Sequence, residues 1–282
     1  MIKFTKMHGA GNDYVYVNCF EQEISDPEAL SVFVSERHFG IGADGLVLIT
    51  PSNVADFRMR MFNADGSEGK MCGNAARCVG KYVFDHKMTD KTVITLETLS
   101  GIKTLDMTIV NGLVSEVLVD MGIAVLNPKD IPVNIDNDKV IGYPLEVDGT
   151  NFDITCVSMG NPHAVIFVDN IDDLDLEKIG PKFENHQIFP QRVNTEFIKI
   201  VDNNTLAMRV WERGSGETWA CGTGACAAVV AAVLNGHCKI DTEVNVILRG
   251  GTLKITYKSD GHVLMKGGAT EVFSGVLKER KV

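Results

Sequence analysis

The chain has 282 residues and no long hydrophobic run. Its longest mostly apolar stretch, Ala225 to Leu234, covers about ten residues, and a helix that crosses a bilayer needs about twenty. No membrane association is expected. The opening residues, Met1-Ile2-Lys3-Phe4-Thr5-Lys6-Met7-His8, lack the apolar core of a secretory leader. There is no basic block either: 27 Lys and Arg stand against 37 Asp and Glu, a net charge of −10. A surface that tracks nucleic-acid phosphates is therefore not expected. The seven cysteines are odd in number, and pairs such as Cys72/Cys78 and Cys221/Cys226 lack the C-x-x-C spacing of zinc ribbons and redox motifs. Reduced thiols in a cytoplasm are the default. No G-x-x-x-x-G-K-[ST] nucleotide loop occurs. The acidic clusters Asp172-Asp173-Leu174-Asp175 and Asn134–Asp138 read as solvated turns or a helix start, not metal sites. With 45% hydrophobic and 23% charged residues, the composition is that of an ordinary globular protein.

What is present is a hidden repeat. Met71-Cys72-Gly73-Asn74-Ala75-Ala76-Arg77-Cys78 resembles Ala220-Cys221-Gly222-Thr223-Gly224-Ala225-Cys226, and both lead into runs of small apolar residues. The first cysteines are 149 residues apart (221 less 72), as are Asn12 and Asn161 of two Gly-Asn pairs. The same shift carries Asn63 onto Glu212. Two copies of a long period imply two related halves, not a solenoid.

The patterning agrees. Strands are predicted over Ile2–Lys6, Tyr14–Asn18, Leu46–Ile49 and Phe57–Phe62, then Thr92–Thr98, Ile102–Ile109 and Leu113–Val119, with Asn111-Gly112 as a hairpin turn. The second half repeats the scheme over Phe152–Ser158, Ala164–Val168, Thr195–Ile200, Leu206–Val210, Val244–Leu248, Leu253–Tyr257 and Val263–Lys266. Helices are predicted from Asp26-Pro27 to Ser35, from Leu174 to Glu184, and directly after Cys72 and Cys221. The fold class is α+β, with a boundary near Met121–Pro128: residues 1–120 form the N-terminal half and 121–267 the C-terminal half.

Asn74 and Thr223 are suitable N-caps for the last two helices. The run Ala225–Leu234 is apolar on every face, which predicts a buried helix, and Asn235-Gly236 can end it. A cysteine just before a helix sees free backbone N–H groups and the positive end of the dipole, which favour a thiolate. The same groups bind a carboxylate, and glycines at 73 and 222 let it approach. A single cysteine so placed is usually a small core residue; two copies at one offset point to chemistry. Cys19, Cys78, Cys156, Cys226 and Cys238 read as core. His163 fits either a site or packing. Glu212-Arg213, nine residues before Cys221, argues for a loop at the site.

Taken in order, several segments resemble the diaminopimelate epimerase family over essentially the whole chain. They are Lys6-Met7-His8-Gly9-Ala10-Gly11-Asn12-Asp13, Arg37-His38-Phe39-Gly40-Ile41-Gly42-Ala43-Asp44-Gly45, Phe62-Asn63-Ala64-Asp65-Gly66-Ser67-Glu68, Cys72-Gly73-Asn74, Met159-Gly160-Asn161-Pro162-His163, Arg192-Val193-Asn194, Glu212-Arg213-Gly214-Ser215-Gly216-Glu217-Thr218 and Ala220-Cys221-Gly222-Thr223-Gly224. The resemblance implies two pseudo-symmetric halves, each a curved, mostly antiparallel sheet around a central helix, with the site in the cleft. It implies that residues 268–282 return to the first half. It implies a homodimer that inverts one α-carbon of LL-2,6-diaminopimelate to the meso form, without cofactor or metal, in the synthesis of lysine and peptidoglycan precursors.

By the same resemblance Cys221 is the base toward the LL isomer and Cys72 the acid. Gly73, Asn74, Gly222 and Thr223 bind the reacting carboxylate. Asn12, Asn63, Asn161, Asn194 and Arg213 hold the distal end, and Glu212 its ammonium. His163 and Glu212 support the cysteine chemistry. Some members carry Gln where this chain has Gly45, so a side-chain contact is missing here and water or a backbone group is expected in its place. Three other readings stay open on the residues: a cysteine-pair racemase of a smaller acid such as proline, a phenazine-biosynthesis-like or binding protein of the same fold, and a redox pair. Arg213, Glu212 and the four asparagines count against the first, because a monocarboxylic substrate has no distal charged end.

Overall fold

A computed structural model describes residues 1–278. The chain divides into two compact units, Met1–Val119 with the C-terminal segment from Lys266, and Asp120–Met265. Of the segment expected to return to the first half, 279–282 lie outside the described residues.

Unit 1 opens with β1 (Ile2–Gly9) and β2 (Asn12–Asn18), followed by α1 (Pro27–Ser35), β3 (Gly45–Thr50), β4 (Phe57–Asn63) and the short β5 (Glu68–Gly69). Then come α2 (Gly73–Asp85), β6 (Val93–Thr98), β7 (Gly101–Val110) and β8 (Leu113–Ile123). Neighbouring ladders are antiparallel except β2–β3 and β4–β6, which are parallel. The turn between β7 and β8 has Asn111 at φ 53° and Gly112 at φ 80°, the left-handed pair that an Asn-Gly hairpin demands. Helix α2 packs on β1, β2, β4 and β7. Helix α1 starts where the Asp26 carboxylate accepts from Ala29 N at 2.9 Å, with Pro27 in the first turn.

Unit 2 contains β9 (Tyr143–Val147), β10 (Thr150–Ser158), β11 (Pro162–Phe167), α3 (Leu176–Glu184), β12 (Asn194–Asp202) and β13 (Thr205–Glu212). It continues with β14 (Gly216–Glu217), α4 (Gly222–Leu234), β15 (Glu243–Leu248), β16 (Gly251–Tyr257) and β17 (His262–Gly267). A shift of 149 lays both of its helices residue for residue on those of unit 1: Leu176–Glu184 falls on 27–35 and Gly222–Leu234 on 73–85. The register follows as well. Ala164 pairs Thr195 in β11–β12, and Val15 pairs Leu46 in β2–β3. The parallel ladders recur at equivalent places, β11–β12 and β13–β15.

One strand breaks the sequential scheme. In unit 2 the outer partner of β10 is β9, from just upstream. In unit 1 the outer partner of β1 is the last strand, β18 (Thr270–Leu277).

Helix α4 is buried from Ala225 to Ala232, as its uniformly apolar sequence requires. It ends at Gly236, which takes φ 78° while Gly236 N donates to Val233 O. In a separate core cluster of unit 2, beneath α3, Phe183 meets Phe197 of β12 and Phe152 of β10 edge to face, at centroid distances of 5.6 and 5.1 Å. The N-cap expectation needs correction. Cys72 and Cys221 themselves are the N-cap residues, and Asn74 and Thr223 lie one residue inside the first turn. The extended backbone of the two cysteines, φ −134° and −119°, is what a cap position needs. The expected capping side chains are free for other partners.

Candidate active site

Each unit builds one half-site at the start of its buried helix. In unit 1 Cys72 is a partly exposed thiol outside any disulfide. Asn12 Oδ1 accepts from the Cys72 thiol at 3.4 Å and from Asn74 Nδ2 at 3.3 Å. Asn12 sits at the start of β2, and its own amide donates to Asp44 Oδ2 at 2.7 Å. Asp44 also accepts from Asp13 N at 3.1 Å; burial and the nearby Asp13 push its carboxyl above the ordinary value. Lys6 offsets that charge with an ion pair to Asp13 at 2.6 Å. Beneath Asn74 lies Arg77, fully buried, whose guanidinium donates to Asn74 Oδ1 at 2.9 Å and reaches Gly268 O at 3.3 Å. Asn63 stands at the exposed end of β4, its amide donating to Ser67 Oγ at 3.0 Å. Gly45 explains its own identity. A Cβ there would lie 2.0 Å from Phe62 O, so a backbone carbonyl occupies the place where a side chain would begin.

In unit 2 Cys221 is a buried free thiol. Its sulfur accepts from Gly224 N at 3.4 Å and lies 3.5 Å from Thr223 Oγ1. Asn161 Nδ2 donates to Thr223 Oγ1 at 3.3 Å, and Asn161 Oδ1 faces His163 Nε2 at 3.0 Å. The other imidazole nitrogen, Nδ1, is 2.7 Å from Glu196 Oε1. Glu212, at the end of β13, accepts from Thr218 Oγ1 at 2.5 Å. Burial holds its carboxyl above the usual range, against hydrogen bonds from Thr218 and Cys221. Asn194 Oδ1 accepts from Arg213 N at 2.9 Å, and Arg213 Nη1 donates to Gln191 O at 2.9 Å.

The thiolate expectation needs a second correction. Burial, then the charges of Glu212 and Glu196, push the Cys221 thiol well above its ordinary value. Thr223 and Gly224 N–H act the other way and are outweighed. The helix N-terminus helps the anion, but two carboxylates and the loss of water oppose it more strongly.

Unit 1 thus joins Asn12, Cys72 and Asn74 through hydrogen bonds, with Gly73 between the last two, while the Asn63 amide is engaged with Ser67. Unit 2 joins Asn161, His163, Thr223 and Cys221, and separately Asn194 with Arg213. Sequence reasoning missed three anchors, two of them buried carboxylates (Glu184 and Glu196) and one half-buried (Asp44). Asp44 orients Asn12 and Glu196 holds His163. Glu184 accepts from Trp211 Nε1 at 2.7 Å, from Gly214 N at 3.0 Å and from Arg192 at 2.9 Å, tying down the loop that carries Arg213. The signal for Glu196 was present: it sits between Thr195 and Phe197 in a buried strand, where a carboxylate needs a partner.

The family model described as Diaminopimelate epimerase matches residues 4–127 and 155–272. The chain belongs to the diaminopimelate epimerase family. It is 58% identical to the Diaminopimelate epimerase of Acetivibrio thermocellus, covering 97% of this chain and 98% of that one. Against the Diaminopimelate epimerase of Methanococcus maripaludis (strain S2) the identity is 57%, covering 97% and 99%. Among solved structures, a probable proline racemase from Agrobacterium radiobacter K84 shares the fold with a TM-score of 0.73 at 12% identity, covering 99% and 93%. A Bacillus anthracis phenazine biosynthesis protein of the PhzF family does so with a TM-score of 0.70 at 17% identity, covering 98% and 99%. These last two likenesses concern the fold alone. Among the described residues no helix is long and apolar enough to cross a membrane.

Proposed function

We propose that this chain epimerises LL-2,6-diaminopimelate to the meso form by two-cysteine acid–base chemistry, as a homodimer and without cofactor, in the synthesis of lysine and peptidoglycan precursors. The observation that carries the reading is the pair of cysteines at equivalent N-caps of two repeated helices, in a chain that matches its named relatives over nearly its full length. An α-proton is a very weak acid. One sulfur removes it from one face of the α-carbon, and the other thiol protonates the opposite face; Cys221 is the base toward the LL isomer and Cys72 the acid. Backbone N–H groups at Gly73-Asn74 and Gly222-Thr223 stabilise the charge that develops on the reacting carboxylate. Asn12, Asn63, Asn161, Asn194 and Arg213 hold the distal end, with Arg213 suited to a carboxylate.

In this reading the elevated Cys221 thiol has a purpose. The free enzyme keeps its base protonated. A substrate ammonium received by Glu212 cancels one of the charges that oppose ionisation, so the thiolate forms when substrate is bound. The test is epimerisation and solvent-deuterium incorporation by Cys72→Ala and Cys221→Ala, from each isomer. Cys72→Ala should still exchange the α-proton of the LL isomer while failing to epimerise it. Cys221→Ala should do neither, and the dependence should reverse on the meso isomer. Near-normal epimerisation by either variant excludes the mechanism.

A further inference from the structure

Glu196 is a fully buried carboxylate in β12. One oxygen lies 2.7 Å from Nδ1 of His163, which is also fully buried, and the other, Oε2, has no hydrogen-bond partner among the described residues. A buried carboxylate is costly unless a positive charge faces it. The far side of the imidazole makes the same demand, because Nε2 faces Asn161 Oδ1, an acceptor. Both ring nitrogens are thus set against acceptors and both must donate, the pattern of an imidazolium. The order of donors then runs one way. Asn161, accepting on Oδ1, donates through Nδ2 to Thr223 Oγ1, and the Thr223 hydroxyl keeps its own proton for Cys221 Sγ, 3.5 Å away.

Unit 1 shows that this is an addition to one half-site. The shift of 149 puts Tyr14 at the place of His163, Val47 at that of Glu196 and Ala75 at that of Gly224. A Cβ on Gly224 would stand 2.6 Å from Glu196 Oε1 and 3.2 Å from Cys221 Sγ. Both distances end on one point, so the carboxylate oxygen and the sulfur are at most about 6 Å apart, within reach of each other's charge. The other titratable groups around the pair are Glu212 at the end of β13 and Cys156 in β10, whose thiol burial and Glu196 push upward.

We infer that Glu196 is a positioning residue: its charge keeps His163 doubly protonated and so directs the Asn161–Thr223 chain to present a hydroxyl donor to the sulfur of Cys221. The inference rests on the reading of Cys221 as the acid–base group. It makes the two cysteines unequal, because unit 1 carries Tyr14 and Val47 at the places that hold His163 and Glu196 beside Cys221.

The test is Glu196→Gln, which removes the charge and keeps the shape, with Glu196→Val, the residue of the equivalent place in unit 1. In the wild-type protein, nitrogen-15 NMR of His163 at pH 7.5 should show a hydrogen on both ring nitrogens, one facing Glu196 and one facing Asn161. In Glu196→Gln one of the two should be lost at that pH. kcat should fall about tenfold or more with KM little changed, and further in Glu196→Val. Mere loss of structure would lower the unfolding midpoint and the active fraction without changing the His163 signature. A wild-type His163 that is neutral at pH 7.5, or a Glu196→Gln kcat within twofold of wild type, overturns the inference. Normal epimerisation by Cys221→Ala would instead remove the reading on which it rests.

Discussion

Gly224 is the third residue of α4, and changing it perturbs the Cys221 half-site without replacing any of its polar groups. Inside a helix, Gly→Ala ordinarily gains about 1 kcal/mol. Here the new Cβ would meet Glu196 Oε1 at 2.6 Å. Ordinary contact begins near about 3.5 Å, so the carboxylate must retreat by roughly 0.9 Å. An exposed glutamate would swing aside at little cost. Glu196 is enclosed, and its bond to His163 is 2.7 Å long. A retreat of that size stretches the bond beyond hydrogen-bonding range, and a hydrogen bond to a charged group contributes about 1.5–3 kcal/mol. Set against the helix gain, Gly224→Ala should lose about 0.5–2 kcal/mol, or about 1–8 °C in Tm. Because Ala75 and Val47 are the equivalent pair in unit 1, the double variant Gly224→Ala/Glu196→Val should recover part of the loss. The assay is thermal unfolding of the wild type, both single variants and the double. A Gly224→Ala protein as stable as wild type, or a double variant whose loss is the plain sum of the two, refutes the reasoning.

Glu212→Gln removes the carboxylate that pushes Cys221 up most, so alkylation of Cys221 by iodoacetamide, followed by mass spectrometry, should begin at a lower pH; an unchanged or higher onset contradicts this. Arg213→Ala should lower kcat/KM for diaminopimelate by about 2–5 kcal/mol, the loss when a buried carboxylate is left without its arginine, mainly through KM; steady-state kinetics decide, and unchanged kcat/KM would take Arg213 out of the distal site. Burial pushes the Cys78 thiol up to about 11, whereas an unfolded thiol ionises earlier. Stability should therefore be flat below about pH 8.5 and then fall as pH rises toward 11, by about 1.4 kcal/mol per unit for this thiol; urea unfolding at pH 8 and 10.5 should show the drop shrinking in Cys78→Ala, and an equal drop in the variant would assign it elsewhere. Oxidation should inactivate the enzyme reversibly, with thiol reductant restoring activity and the modification found at Cys72 or Cys221; modification confined to Cys19 or Cys238 would contradict that.

Much of this protein was legible in one dimension because repetition is a one-dimensional property. The 149-residue shift, seen first in Cys72 and Cys221, carries over to both helix spans and to the register of the first parallel ladder of each unit, β2–β3 and β11–β12. Period-two patterning and the Asn111-Gly112 signal located most strands, since those depend on neighbours in sequence. The strand Tyr143–Val147 went unseen: it is five residues long, carries a proline, and exists because β10 offers it a partner.

The half-sites divide along the same line. The amino acids that could carry chemistry, their place before a helix and the two-fold plan are written in the sequence. Which of them meet is not. Asp44 is 32 residues from Asn12, and Glu196 is 33 from His163, and only the ladders between β11 and β12 and around β2 and β3 bring such pairs within hydrogen-bond reach. The ionisation of Cys221 was misjudged for that reason. The helix N-terminus that favours a thiolate is local and visible in sequence, whereas the burial and the carboxylates of Glu212 and Glu196 that oppose it come from strands folded against it. Charge acts through space, so the sign of their sum belongs to the tertiary structure.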